Sequence, residues 1–496
     1  MTTPSSGATL VLVSIYHDYT IIRGYPGTGK SVSVVALVQV LVLMGKSVLL
    51  TAYTHSAVDN ILLKLKAKGV DFLRLGRRSR IHPELHGYAD EILTSSFTDV
   101  TQLADFYASK AVVATTCLAV NHVLFSKRRF DVCIVDEAAQ VLLPACTAPL
   151  LCADKFVLVG DSQQLPPVVQ STQARSMGLT ETVFSILERG GNQDCCSSLT
   201  LQYRMAAPIM RLANAITYNG QLQCASDALQ DARLHLPYFQ ETKVTGLPDW
   251  LRTAVQPEQS VLLLDTAGSA CEQECSLGIQ NTGELHITAA IVATLLQLGV
   301  LGVDIGVIAP YRAQVRLLQE SLTQKTRDFI TSRQIEITDQ KNEDKNSGHL
   351  LASDDADTSD GTVPYNEIKN SCRDGVDSVK RVDCKEPITT QKVLEESKKV
   401  EINTVDQYQG RDKLVIIYSC VRSCTDPKKA GELLRDERRL NVALTRAQRK
   451  LIVIGNVKTL MMYEPLDKLV SVLGEEQIIK MDAQDGWQSC FSKSSS

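Results

Sequence analysis

Short apolar stretches alternate with longer helix-like stretches along most of this chain of 496 residues. Each short stretch is apolar throughout, without the polar residue at every second position that marks a half-exposed strand, so both faces are expected to be covered. Strands and helices in repeated alternation predict a parallel sheet with helices on its two faces. The sequence therefore predicts an α/β protein. Strands are predicted at 19–23, 47–53, 111–115, 131–135, 156–159, 261–265, 304–309, 413–419 and 450–455. Helices are predicted at 31–44, 56–66, 282–298, 311–321 and 435–447.

The alternation divides into two successive parts, which a chain of this length can accommodate as separate domains. We predict a first domain at 18–198 and a second at 199–476, with an unplaced N-terminal segment at 1–17 and a C-terminal tail at 477–496. Within the second part, residues from about 330 to 398 are acidic and rich in lysine, with few large apolar side chains. Such a segment cannot bury enough apolar surface to offset its ordering entropy. It predicts a disordered insertion, and a small folded subdomain is the alternative.

The charges of the chain nearly balance, with 52 lysines and arginines against 56 aspartates and glutamates. This excludes a uniformly basic coat for nucleic acid but leaves room for a local basic groove. Two basic clusters could form such a groove, and the alternative for both is an ordinary solvated face. They consist of Arg74, Arg77, Arg78 and Arg80, and of Lys127, Arg128 and Arg129. No apolar stretch reaches the roughly 18–20 residues of a membrane span. The 14 cysteines lack the dense spacing of a secreted scaffold, so a reducing compartment is expected.

The strongest motif is a glycine-rich loop that follows the first predicted strand and precedes the first predicted helix. It reads GYPGTGKS and fits the pattern G-x-x-x-x-G-K-[ST]. Its glycines allow backbone N–H groups to turn inward around phosphate oxygens, and the start of the helix adds partial positive charge. Lys30 would reach the β- and γ-phosphates of a nucleotide, and the Ser31 hydroxyl would bind Mg²⁺. A chance match in a glycine-rich turn is the alternative. The predicted nucleotide-binding residues of this loop are Gly24, Pro26, Gly27, Thr28, Gly29, Lys30 and Ser31.

Two adjacent carboxylates follow an apolar strand in the segment DVCIVDEAAQ, residues 131–140. Acids at the end of a buried strand are costly unless they face a cation. Asp136 would hold Mg²⁺ through its water shell, and Glu137 would position or deprotonate an attacking water. The pair therefore indicates an ATP hydrolase. For Glu137, the alternative is a solvated residue at the start of a helix.

Three further polar residues complete the predicted catalytic set. Gln164 follows another strand, in GDSQQLPP, and could sense the γ-phosphate. A plain turn is the alternative, because it explains the Gly-Asp and Pro-Pro pairs of this segment equally well. Arg204 and Arg446 belong to the second part of the chain, and a guanidinium at the γ-phosphate stabilises the charge that develops during transfer. The nucleotide would then lie between the two domains, whose cleft closes when it is bound. Surface ion pairs are the alternative for both arginines.

Eight segments occur in the order of the motifs of the superfamily 1 helicases, and the chain resembles this family from about residue 17 to about residue 473. The resemblance is to the branch that includes the RNA helicase of nonsense-mediated decay. Within it, the chain is most similar to the helicase half of the DNA replication helicase/nuclease family. The segments are GYPGTGKS (24–31), TAYTHSAVDN (51–60), DEAAQ (136–140), GDSQQLPP (160–167), QYRM (202–205), IAPYRAQ (308–314), TVDQYQGRDK (404–413) and NVALTRAQ (441–448).

The resemblance implies two tandem RecA-like P-loop domains with parallel sheets, and it implies roles for individual residues. Around the γ-phosphate it places Gln164, Arg204, Arg312 and Arg446. Tyr203 would stack near the adenine, Asp412 would lie near the ribose, and Gly410 belongs to the same nucleotide-binding set. Short hydroxyl side chains at strand-to-helix turns suit phosphate oxygens, and the alternative is N-capping of helices. The hydroxyl residues implied along a single strand are Thr54, Ser56, Thr115, Thr116 and Thr404.

The implied activity is that of an ATP-dependent DNA helicase or translocase on single-stranded DNA, with ATP and Mg²⁺ as cofactors and 5′ to 3′ polarity. Implied partners are single-stranded DNA and replication or repair proteins, without a membrane, and the implied location is the nucleus, with the mitochondrion as a second site in the family. The alternatives are an RNA helicase of the decay branch and a nucleic-acid-binding fragment with little ATPase activity.

The family also carries a nuclease domain with an iron–sulfur cluster and a glutamine upstream of the phosphate loop that reads adenine. No such glutamine stands in residues 1–16, so adenine discrimination is left open. Neither a nuclease carboxylate cluster nor a four-cysteine set can be assigned, and we expect no nuclease activity and no iron–sulfur cluster in this chain. The cysteine pairs 271/275 and 420/424 are isolated, which argues against metal binding there.

Overall fold

The computed structural model of the protein describes residues 17–190, 193–239, 247–267, 269–346, 389–426 and 431–481, with the backbone alone from 334 to 346. Within these residues, most strands belong to two parallel sheets, and two short pairs lie apart from them. The strands are β1 (Tyr19–Gly24), β2 (Val48–Ala52), β3 (Leu73–Arg74), β4 (Val112–Thr116), β5 (Phe130–Asp136), β6 (Ala153–Gly160), β7 (Cys196–Leu199), β8 (Leu201–Gln202), β9 (Gln223–Cys224), β10 (Val261–Asp265), β11 (Gln273–Cys275), β12 (Gly278–Gln280), β13 (Ile305–Ala309), β14 (Glu401–Thr404), β15 (Lys413–Ser419), β16 (Ala447–Gly455) and β17 (Ile478–Lys480). The α-helices are α1 (Lys30–Leu43), α2 (His55–Ala67), α3 (Asp90–Leu93), α4 (Val100–Ser109), α5 (Val123–Lys127), α6 (Leu143–Leu150), α7 (Thr172–Ser176), α8 (Val183–Gly190), α9 (Ala207–Ala213), α10 (Asp227–Gln230), α11 (Asp249–Val255), α12 (Thr282–Gln297), α13 (Arg312–Asn346), α14 (Thr390–Ser397), α15 (Val405–Tyr408), α16 (Glu437–Leu444), α17 (Val457–Leu460) and α18 (Glu464–Val472).

The first sheet has the strand order β3-β4-β2-β5-β6-β1-β7, and its paired strands are parallel. Its strands are buried on both faces, since Ile22 and Val159 pack in one core cluster and Ile21 and Leu158 in another. Helices α1 and α2 cover the first of these faces, and α8 covers part of the second through Phe184. The prediction of a parallel α/β sheet with covered faces is confirmed. We call residues 17–199 the first lobe.

The second sheet has the order β14-β13-β15-β16-β10-β17 and is also parallel. The four strands predicted for this part of the chain are confirmed. Edge strand β17 pairs with β10 and lies inside 477–496, the segment predicted as a tail. The prediction missed this strand because three residues are too few to give a periodic pattern. We call residues 200–481 the second lobe. The limits of the two domains, at 18–198 and 199–476, stay a prediction.

Helices occupy both flanks of the predicted insertion at 330–398. Helix α13 runs beyond the predicted end at residue 321, because Phe329 and Ile330 are buried in the same core cluster as helix α12. Helix α14 follows after the gap and buries Val393 in that cluster. The remainder of the predicted insertion, 347–388, lies outside the described residues, as do 1–16 and 482–496.

Candidate active site

Residues of both lobes line one cleft of about 630 Å³. In the second lobe, the cleft is lined by residues that lead into the amino ends of β15 and β16. In the first lobe, it is lined by loops that follow the carboxyl ends of β1, β5 and β6. Loops at this edge of parallel sheets are the usual position of ligand sites. The predicted site residues that line the cleft are Pro26, Gly27, Thr28, Gly29, Lys30, Ser31, Thr54, Ser56, Asp136, Glu137, Gln164, Tyr203, Arg204, Gly410, Asp412 and Arg446.

The glycine-rich loop has backbone conformations that favour glycine. Gly27 and Gly29 have φ values of 74° and 82°, a region that favours glycine. The Lys30 amine donates a hydrogen bond of 2.7 Å to the carbonyl oxygen of Gly24, so the lysine side chain lies across that glycine. A Cβ atom at Gly24 would lie 2.1 Å from Lys30 Cγ. Gly24 does not line the cleft. Its lack of a side chain provides the space that the Lys30 side chain occupies.

The two carboxylates stand at the end of β5. Asp136 is 5% exposed, and its Oδ1 has no hydrogen-bond partner among the described residues. Burial, reinforced by the neighbouring Glu137, raises the pKa of Asp136 to about 7. Glu137 has a left-handed backbone with φ 52°, and its Oε2 accepts a hydrogen bond of 3.1 Å from Gln140. A buried carboxylate oxygen without a donor, in the cleft that Ser31 also lines, fits a divalent cation.

The two predicted arginines lie close together in the second lobe. Arg446 is 2% exposed, and its Nε donates to the carbonyl oxygen of Val442 at 3.2 Å. Burial and the nearby charge of Arg204 lower the pKa of Arg446 to about 10, while Glu137 opposes this from the first lobe. Arg204 Nε forms an ion pair of 3.3 Å with Asp412 Oδ2. The charge of Glu137 in the first lobe thus acts on the Arg446 guanidinium of the second lobe across the cleft.

The connection between the lobes is bonded directly to the glycine-rich loop. The backbone N–H of Tyr203 donates to the carbonyl oxygen of Gly27 at 2.8 Å. Gln202 is fully buried and its Oε1 accepts hydrogen bonds from the N–H groups of Arg204 (2.9 Å) and Met205 (2.7 Å). The tyrosine side chain remains 66% exposed at the cleft, which leaves its ring free to stack.

Gln164 lies at the interface of the lobes, 4% exposed, and its amide donates to Asp161 Oδ2 at 2.9 Å. Sequence reasoning missed several cleft residues that belong to the eight motif segments, because periodicity does not tell which side of a loop faces a cavity. They are Tyr25, Tyr53, Ala57, Asn60, Gln140, Asp406, Gln407, Gln409, Arg411 and Gln448. It also missed Arg449, which donates to the carbonyl oxygen of Arg204 at 2.9 Å and so holds that turn.

Besides Gly24, four predicted site residues do not line the cleft. Arg312 is exposed at the start of α13. Thr115 and Thr116 are buried at the end of β4, where Thr115 Oγ1 donates to the carbonyl oxygen of Leu75 at 3.5 Å. Thr404 precedes α15 and makes no side-chain cap to that helix. In contrast, Thr54 lines the cleft and also caps α2, where its oxygen accepts from the N–H of Ala57 at 3.2 Å.

The first basic cluster is smaller than predicted. Arg74 is fully buried, because Asp59 on α2 forms an ion pair of 2.8 Å with it, and the prediction of a surface role for Arg74 was wrong. Arg77, Arg78 and Arg80 are exposed. Among the described residues, no group of three or more histidine, cysteine or acidic side chains is arranged to hold a metal ion. None of the described helices combines the length and the apolar character needed to cross a membrane.

Two family models match the chain, and both are described as an AAA domain. One matches residues 179–341 and 381–458, and the other matches 11–105 and 96–172. The DNA replication ATP-dependent helicase/nuclease DNA2 of Xenopus laevis is 40% identical over 476 residues, which cover 94% of this chain and 38% of the relative. The protein of the same name from Mus musculus is 39% identical over 477 residues, with the same coverage. The chain therefore spans 38% of the length of these relatives.

A solved structure that matches the chain is the crystal structure of arterivirus nonstructural protein 10 (helicase). It matches with a TM-score of 0.39 and 13% identity, covering 94% of this chain and 64% of that one.

Proposed function

Because the chain belongs to the superfamily 1 helicases and is related to the helicase part of the DNA replication ATP-dependent helicase/nucleases, we propose that it hydrolyses ATP to translocate along single-stranded DNA. The observation that carries the proposal is the meeting of opposite charges from two lobes in one cleft. Glu137 lies on one side and Arg204 and Arg446 lie on the other, with Lys30 at the base. A nucleotide held there would be contacted by both lobes at its terminal phosphate, so its hydrolysis would change their separation.

In this proposal the glycine-rich loop holds the phosphates of ATP. Lys30 contacts the β- and γ-phosphates, and Gln164 contacts the γ-phosphate. Arg204 and Arg446 stabilise the charge that develops on the transferred group, a contribution of about 10³–10⁵ in rate for such arginines. Glu137 accepts a proton from the attacking water or orients it. Tyr203 stacks near the adenine, while Gly410 and Asp412 approach the ribose.

Mg²⁺ would neutralise charge on the β- and γ-phosphates when bound. Ser31 and Asp136 are the residues proposed to hold it, and the unpartnered Oδ1 of Asp136 supports the assignment. Arg312 would join the γ-phosphate set only by movement of its side chain from the exposed start of α13 toward the cleft.

The proposed strand path begins at Thr54 and Ser56, whose hydroxyl groups lie at the start of α2 beside the cleft. Thr115, Thr116 and Thr404 remain proposed strand contacts. Because Thr115 and Thr116 are buried as whole residues, contact with a strand would require a movement that exposes them. A polarity of 5′ to 3′, action in the nucleus and the mitochondrion, and association with replication or repair proteins are proposed by relationship to the family.

ATP hydrolysis measured with and without single-stranded DNA tests the proposal. We expect stimulation by DNA, and we expect Lys30→Ala and Glu137→Gln to abolish turnover. Lys458→Ala, a change of an exposed lysine outside the cleft, is the matched control and should hydrolyse ATP at the wild-type rate. Hydrolysis that persists in Lys30→Ala would contradict the assignment of the site. Stimulation by single-stranded RNA but not by DNA would contradict the proposed substrate.

A further inference from the structure

A chain of three buried polar side chains crosses between the lobes behind the cleft. Asp161 follows β6 in the first lobe, whereas Tyr218 and Asn441 belong to the second, and all three are 3% exposed or less. The Tyr218 hydroxyl donates to Asp161 Oδ2 at 2.8 Å. The Asn441 amide donates to the same hydroxyl oxygen at 2.7 Å. Asn441 Oδ1 has no hydrogen-bond partner among the described residues, so the network is joined through the Asn441 amide group and the Tyr218 hydroxyl. Buried hydrogen bonds of this kind rigidify and specify an arrangement.

The direction of the hydrogen bonds in this chain is fixed by chemistry. An ionised carboxylate can only accept, so the single hydroxyl proton of Tyr218 points to Asp161, and its oxygen is left to accept from Asn441. Asn441 also donates to the carbonyl oxygen of Gln163 at 2.9 Å. Two hydrogen bonds therefore cross between the lobes here, and both originate in the second lobe.

Each end of this series of hydrogen-bonded side chains leads to a residue of the proposed catalytic set. At one end, Asp161 Oδ2 accepts from both Tyr218 and the Gln164 amide, so the tyrosine and the glutamine share one oxygen atom. At the other end, the backbone carbonyl oxygen of Asn441 accepts from the backbone N–H of Thr445 at 3.0 Å and from the Thr445 hydroxyl at 2.8 Å. Thr445 immediately precedes Arg446.

We propose that Tyr218 is a positioning residue whose hydroxyl sets Gln164 and Arg446 in register with each other across the cleft. The inference rests on the proposed function, because it concerns the geometry in which ATP is hydrolysed. The tyrosine touches no nucleotide, since it does not line the cleft. Its ring packs at 4.9 Å from the ring of Tyr25 in the glycine-rich loop, which fixes it relative to the phosphates as well.

Loss of the hydroxyl would leave Asp161 Oδ2 with the Gln164 amide alone. Of the two hydrogen bonds that cross between the lobes here, only the one from Asn441 to the carbonyl oxygen of Gln163 would remain. Binding of ATP depends on the glycine-rich loop and Lys30, which do not bond to Tyr218. Turnover depends on the relative placement of Gln164 and Arg446, and small misplacements of reacting groups are costly. The expected signature is therefore a lower kcat at an unchanged KM for ATP.

Tyr218→Phe tests this with saturating single-stranded DNA. We expect kcat to fall about tenfold, with KM for ATP within about twofold of the wild-type value. Tyr463→Phe is the matched control: Tyr463 is a fully buried tyrosine of the same core cluster, and its hydroxyl has no hydrogen-bond partner among the described residues. It should retain the wild-type kcat. Thermal unfolding of both variants provides the comparison of stability.

A double substitution separates positioning from a general loss of structure. If Tyr218 acts through Gln164, Tyr218→Phe combined with Gln164→Ala should have the kcat of Gln164→Ala alone. Multiplication of the two effects, or a kcat of Tyr218→Phe equal to the wild-type value, would overturn the inference. If Tyr218→Phe does not fold, Asn441→Leu is the second variant. It removes the amide that donates to the Tyr218 hydroxyl oxygen and must give the same loss of kcat. A wild-type chain without DNA-stimulated hydrolysis would overturn the proposed function and this inference with it.

Discussion

Replacement of Gly24 by alanine tests whether this position is reserved for the side chain of Lys30. The added Cβ atom would lie 2.1 Å from Lys30 Cγ and 2.4 Å from Cδ. Carbon atoms in contact are separated by about 3.5–4.0 Å, so the lysine side chain must move by roughly 1.4 Å near its root. A misplacement of about 1 Å at a catalytic group can cost about 10² in rate, so we expect kcat/KM for ATP to fall about 100-fold.

The assay is steady-state ATP hydrolysis with single-stranded DNA, alongside thermal unfolding. Because a lysine side chain can rearrange toward the cleft without disturbing the core, the melting temperature should change by only a few degrees. Gly87→Ala is the matched control, since an added Cβ there meets no atom within 4 Å and Gly87 does not line the cleft. If Gly24→Ala hydrolyses ATP within threefold of the wild-type rate, the steric argument is refuted.

Two predictions concern stability. Asp59→Ala removes the partner of fully buried Arg74 and should lower the free energy of unfolding by about 3–5 kcal/mol in urea titrations; Asp154→Ala, which breaks an exposed pair with Arg129, should cost less than about 1 kcal/mol, and equal effects would contradict the argument. Burial raises the pKa of Glu284 from its ordinary value of 4.5 to about 8, so between these values the folded state binds the proton that the unfolded state releases. The free energy of unfolding should therefore fall as pH rises from about 5 to 8, by up to about 1.4 kcal/mol per pH unit from this group. Glu284→Gln, which cannot titrate, should lose that part of the slope, and an unchanged pH profile would refute the assignment.

The sequence was sufficient to predict the strands that are long and apolar and the residues that end them. Strand β5 is an example, because four apolar residues lead directly into Asp136 and Glu137, and the structure has the strand at that point. Strands such as β3, β8 and β17 escaped prediction because two or three residues carry no period. Helix α13 was predicted too short, since its later apolar residues stand among charged ones and are buried by tertiary contacts with α12.

The sequence was sufficient to predict many residues of the cleft but not the hydrogen bonds that join the two lobes behind it. The motif segments supplied Lys30, Glu137 and the two arginines, and the structure brings them to one cavity. No motif identified Tyr218, whose importance depends on a partner 57 residues earlier in the chain and another 223 residues later. Arg312 illustrates the reverse case, because a motif assigns it to the nucleotide while its position at the exposed start of α13 is set by helix packing.

The hydrogen bond from the Tyr203 backbone to the Gly27 carbonyl has a mechanical consequence. The peptide that tethers the two sheets is anchored on the phosphate loop itself, so tension applied between the lobes reaches that loop before it strains either hydrophobic core. In the proposed translocation on single-stranded DNA, force on the bound strand would then act first on nucleotide release. An opposing load in an optical trap should consequently lengthen or shorten the dwell between steps rather than alter the distance moved in each.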